Sequence, residues 1–116
     1  MENLTELQSR AWGILKNARI GQEITGKSVS VYIGLKPRAN GKEGADMRSI
    51  IHALRIKGYP ICANGDGYYT ARTRKEIDEY CGSLSGRISE MSEALIGLKK
   101  SQPIFELKQQ ERIWEL

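Results

Sequence analysis

Four residues at helical spacing hold most of the chemistry that this 116-residue chain offers: Arg48, Ser49, His52 and Arg55. Two guanidinium groups, a hydroxyl and an imidazole at i, i+1, i+4 and i+7 share one side of a helix, because a helix turns once every ~3.6 residues. Such a face donates to anions and to polar base edges, but as a catalytic set it is incomplete. His52 is the sole histidine, and the sequence sets no base or nucleophile beside it. No Gly-rich phosphate loop, HExxH, nucleophile elbow or paired-carboxylate arrangement occurs. The reading is therefore of a non-enzyme with no cofactor.

Cys62 and Cys81 are the only cysteines. With His52 they fall short of the roughly four ligands a structural metal takes unless carboxylates join them. No metal site is expected, and both thiols are expected to be buried as small apolar groups. So few cysteines also argue against a disulfide-framed secreted domain. No apolar run nears the ~20 residues of a membrane span, and Met1-Glu2-Asn3 opens no signal peptide, so the expected location is the cytoplasm.

The net charge of +4 is unevenly placed. Residues 1–76 hold 13 Lys and Arg against 7 Asp and Glu, a net of +6, whereas residues 77–116 hold 5 against 7, a net of −2. A basic front suits a polyanion, and a slightly acidic rear suits another task. The expected division is a binding domain over 1–76, a heptad helix over 77–100 and a short amphipathic tail over 101–116.

The elements that must position the four residues follow from pattern and punctuation. Thr5 with Gln8 is a capping box, and Leu7, Ala11, Ile14, Leu15 and Ala18 predict a helix ending near Arg19, before Gly21. From Ile24 to Leu35 the alternation of Val29, Val31 and Ile33 argues strand, while a Thr25 cap and Gly34 stop argue helix; the surrounding elements decide for helix. A loop follows over 36–44, from its Pro, Asn and glycines. The next helix spans about 45–57, with Met47, Ile50, Ile51 and Leu54 inward and the four polar residues outward. Asn64-Gly65-Asp66-Gly67 between two short apolar runs predicts a hairpin, with one of Tyr68 and Tyr69 facing in and the other out.

Thr73 opens the last helix. Its apolar residues Ile77, Cys81, Leu84, Ile88, Met91, Leu95 and Leu98 are spaced four and three alternately, a coiled-coil seam. Pro103 is expected to end the helix, leaving 104–116 as helix or disordered tail.

The run 44–61, with Leu54-Arg55, Gly58 and Pro60-Ile61, then Gly67-Tyr68-Tyr69 and Thr73, resembles the winged helix-turn-helix DNA-binding proteins of phage and prophage type. The likeness covers roughly 5–90, although the 36–43 loop is longer than the usual turn of that motif. It implies a mainly α fold with a small β-hairpin wing, a long C-terminal helix, and sequence-specific binding of double-stranded DNA. The role implied is a transcriptional regulator, or a replication or recombination accessory, in the host cytoplasm if phage-encoded.

Physically, a helix fits the ~12 Å-wide major groove, where Arg48, Ser49, His52 and Arg55 would reach base edges or phosphates. Arg38 and Lys42 in the loop, with Arg72 and Arg74 beyond the wing, would neutralise flanking phosphates, and Asn64 at the wing tip would reach sugar-phosphate or the minor groove. Leu84, Ile88, Met91, Leu95 and Leu98 are the expected oligomerisation residues, in a homodimer that presents two reading helices. The competing expectation is a protein-interaction module whose last helix docks on a phage or host factor.

Overall fold

The structure, a computed structural model, describes residues 3–36 and 42–106. It is mainly helical, with α1 (Glu6–Leu15), α2 (Gly26–Ile33), α3 (Lys42–Ile56), a hairpin of β1 (Ile61–Asn64) and β2 (Gly67–Thr70), and α4 (Arg74–Glu106). The chain divides into two units, Met1–Tyr80 and Cys81–Leu116. Among the described residues no helix is long and apolar enough to cross a membrane.

The first unit is built on α1, α2 and α3, which contact one another pairwise. Each starts or stops where its chemistry dictates. Thr5 makes the full capping box with Gln8 on α1. Thr25 accepts from the Ser28 N–H to cap α2, whose end is set by Gly34 at φ 83°. That left-handed geometry suits a residue without Cβ. Local alternation in 28–33 thus yields to caps at both ends, and the strand-like pairing of this stretch among the described residues is a bridge from Ile24 to Tyr68.

Leu15, Ile33, Ile51 and Leu54 are fully buried where the three helices meet, joined by Ala11, Val29, Met47, Tyr59 and Ile61. Burying a side chain of this size contributes about 1.5–3 kcal/mol. Trp12, half-buried, meets Tyr59 edge-on at 4.8 Å. Arg10 and Lys57 fasten the rim: Arg10 donates to the Ile33 carbonyl at 3.3 Å, and Lys57 donates to Gln8 Oε1 at 2.8 Å.

Several boundaries differ from expectation. Helix α1 stops at Leu15 rather than near Arg19, because the following carbonyls are taken from outside. The Thr70 hydroxyl donates to Leu15 O at 2.7 Å, the Thr70 N–H to Ala18 O at 2.9 Å, and Arg72 to Lys16 O at 2.8 Å. Helix α3 begins at Lys42, three residues before the expected start, which draws part of the expected loop into the helix. Helix α4 runs through Pro103 to Glu106 instead of ending there. Proline removes one ladder bond, and the described helix carries through that loss.

The hairpin is packed on both faces. Its register pairs Ile61 with Thr70, Cys62 with Tyr69 and Asn64 with Gly67. Ile61 is buried in the helical core and Tyr68, half-buried, packs against it. Cys62, Tyr69 and Tyr80 are all buried as well. Burial pushes the Tyr69 phenol above its usual range, with the Cys62 thiol, Glu76 and Tyr80 adding to the effect. Both tyrosines are therefore covered, where one had been expected to face out. Cys62 is buried as expected, but Cys81 is exposed.

Candidate nucleic-acid interface

Helix α3 separates its two sides cleanly. Met47, Ile51 and Leu54 are buried, while Ala45, Arg48, Ser49, His52 and Ile56 are exposed. The exposed five follow the 3, 4, 7 and 11 spacing of a single helix face. Arg48 lies back along the helix, with its Nη1 3.5 Å from where a Cβ on Gly44 would stand, an ordinary contact distance. Ile56 is 71% exposed on this polar face, and neither it nor Ala45 was among the residues expected to face outward.

Arg55 behaves differently from its neighbours. Expected outward, it is half-buried. Its Nε donates to the Ile61 carbonyl at 2.8 Å and its Nη2 to the Tyr80 hydroxyl at 2.9 Å. The guanidinium carbon also lies 5.2 Å from the Tyr80 ring centroid, a cation–π placement. Arg55 joins α3, β1 and α4 within the first unit, and its fork geometry is what lets one side chain hold two acceptors.

The remaining expected contacts divide by location. Asn64 is at the hairpin tip with both ends of its amide engaged: Oδ1 accepts from the Asp66 N–H at 2.9 Å and Nδ2 donates to Glu23 Oε2 at 2.7 Å. That hydrogen bond from Asn64, with another from the Gly21 N–H, holds the Glu23 carboxyl below its ordinary range. Asn64 thus shapes the tip and ties it to the segment before α2. Arg72 is exposed while donating to Lys16 O. Arg74 is exposed and pairs with Asp78 at 2.9 Å one helical turn on, an arrangement worth only a few tenths of a kcal/mol. Arg38 lies outside the described residues, as does the Lys42 side chain, although Lys42 itself opens α3.

The hairpin sits beside the start of α2. Ile24 exchanges two hydrogen bonds with Tyr68, at 2.8 and 2.9 Å, and the position of a Gly26 Cβ is 3.4 Å from the Tyr68 ring. Lys27 and Ser28 are exposed in the first turn of α2. A helix start carries partial positive charge and unsatisfied N–H groups that favour an anion. Lys27 beside a capped start was thus a legible signal that the sequence reading did not use. Farther along α2, Val31 and Tyr32 are exposed and line an open depression of about 430 Å³ with Ile14, Lys27 and Ser28.

Among the described residues, no group of three or more His, Cys, Asp or Glu is placed to hold a metal ion. In the second unit Ile88, Met91, Leu95 and Leu98 are all more than half exposed and Leu84 is half-buried. No protein-family model, curated protein or solved structure matches the chain.

Proposed function

We propose that this chain binds double-stranded DNA through a winged helix-turn-helix, with α3 as the reading helix and the β1–β2 hairpin as the wing. The order helix, single bridge residue Ile24, helix, helix, hairpin supports this reading, since it sets three helices and a two-stranded hairpin, edged by that one bridge, around one core. The observation that carries it is the outward face of α3, where Arg48, Ser49 and His52 stand exposed on a helix anchored from behind by Met47, Ile51 and Leu54. Arg and His donate to base acceptors or phosphates, Ser does either, and Ile56 suits a thymine methyl. Lys27, Arg72 and Arg74 would supply backbone contacts that fix register. The biological setting proposed is a phage or prophage regulator, or a replication or recombination accessory.

The test is selection of bound duplexes from a random pool, followed by affinity against salt. A recovered consensus, with log affinity falling by ~0.9 per phosphate contact per log unit of salt, supports the reading. Failure to retain any duplex at low salt contradicts it.

A second reading has its own observation, the exposed apolar row of α4. In that reading the first unit is a scaffold and α4 docks on a phage or host protein, so the row binds a partner while duplex DNA is not retained.

A further inference from the structure

We infer that the apolar row of α4 is covered by a second copy of this chain, lying parallel and in register. The inference rests on the pattern of α4 alone and does not depend on the DNA reading.

Seam positions alternate through Cys81, Leu84, Ile88, Met91, Leu95, Leu98, Gln102 and Phe105, all within one continuous helix. Four of the apolar members are strongly exposed, Ile88 at 64%, Met91 at 72%, Leu95 at 53% and Leu98 at 68%. Layers from Leu84 to Leu98 extend over ~21 Å of helix. A strict 3.5-residue period is what two supercoiled helices need, since it keeps one narrow stripe facing the partner along its length. A globular docking groove makes no such demand, and a broader stripe would serve it better.

Layer composition selects the arrangement. Ile88 and Leu95 share one set of alternate layers, and Leu84, Met91 and Leu98 the other. Ile88 is the β-branched member of the first set, and Leu84 and Leu98 stand in the second, a combination that among parallel assemblies favours two strands. Flanking positions allow it. In a parallel register Arg87 faces Ser92 of the second copy and Ala94 faces Lys99, so no like charges meet across the seam. Ser85, Ser92 and Ala94 beside the seam are small enough for close approach. Gly82, Gly86 and Gly97 have nothing within 4 Å of a Cβ position, and each weakens a lone helix relative to alanine. A partner helix supplies the support that such a sequence lacks by itself.

The parallel register makes a geometric statement that a thiol can read. Cys81 is exposed and sits in a seam layer, so two copies bring their Cys81 side chains face to face, and Gln102, three heptads on, meets its own counterpart. In an antiparallel pair the two layer sets face each other, so Cys81 would stand opposite Phe105 and Gln102 opposite Leu84, with like residues ~30 Å apart.

The experiment measures the mass of the full chain by light scattering and treats it with a short bis-maleimide, which joins two thiols by addition. Expected are twice the 13.0 kDa chain mass and efficient covalent pairing through Cys81. Pairing is expected to vanish in Cys81→Ser and return in Cys81→Ser/Gln102→Cys. Ile88→Glu/Leu95→Glu is expected to give a monomer that keeps the thermal transition of the first unit; should that variant unfold, the two cross-linking positions decide alone. A monomeric or trimeric wild type overturns the inference, as does a dimer cross-linked at neither position, or a folded Ile88→Glu/Leu95→Glu variant that remains dimeric.

Discussion

Arg55 and Tyr80 are joined twice over: a 2.9 Å hydrogen bond runs from guanidinium to phenol, and the cation stands 5.2 Å from the ring centre. With its Nε on the Ile61 carbonyl, Arg55 couples the back of α3 to the hairpin and to the first turns of α4. Tyr80→Phe is expected to cost about 1 kcal/mol in urea unfolding, since it removes one hydrogen bond and keeps the ring. Arg55→Ala leaves a part-buried carbonyl and a hydroxyl without their donor and is expected to cost about 2–3 kcal/mol. Arg55→Lys should recover only part of this, because an ammonium lacks the fork.

Arg48 and His52 should show the opposite profile. Both are exposed on α3 and hold nothing of the core together. Arg48→Ala and His52→Ala are expected to change unfolding free energy by less than about 0.5 kcal/mol. On the selected duplex each is expected to cost about 1–3 kcal/mol if it reads a base, or to lower the salt slope by about 1 if it meets a phosphate. Titration of labelled duplex at several salt concentrations separates the two outcomes.

Gly67 holds the edge that links hairpin to helices. Its φ is 140°, and a Cβ there would come within 2.6 Å of the Ile24 carbonyl oxygen, a backbone atom that cannot swing away. Gly67→Ala is therefore expected to break the Ile24 to Tyr68 bridge and to destabilise by on the order of 2–4 kcal/mol. Thermal melts check the magnitude, and loss of amide protection at Ile24 and Tyr68 checks the place.

Glu23 gives the hairpin tip a pH dependence. Its folded carboxyl is held below the ordinary range, first by Asn64 and then by the Gly21 N–H. A carboxylate with a lowered folded pKa stabilises fully above its unfolded value, and that contribution is lost as pH falls through the folded value. Wild type is thus expected to exceed Glu23→Gln in stability near neutrality, with the difference closing under acid. Unfolding at a series of pH values follows it; a difference that grows with acidification would contradict the assignment.

How much of this was legible depended on the reach of each interaction. The α2 caps at Thr25 and Gly34 and the Asn-Gly-Asp-Gly hairpin are local and could be read directly. The α1 end could not, because Leu15 and Ala18 lose their carbonyls to Thr70, more than fifty residues away in sequence. Arg55 was misplaced for a similar reason. Spacing sets it beside Arg48 and His52, but its acceptors belong to β1 and α4 and only the folded chain brings them within reach. Cys81 shares the seam spacing of buried residues, yet among the described residues of α4 that row stands largely open.

The central claim is that duplex DNA lies against the outer side of α3. Backbone amide shifts recorded while the selected duplex is added to the full chain test it most directly. The expected perturbations centre on Ala45, Arg48, Ser49, His52 and Ile56, with weaker ones at Lys27 and the Asn64 tip. Saturating binding that leaves these amides unmoved, with the changes confined to α4 beyond Tyr80, would contradict it.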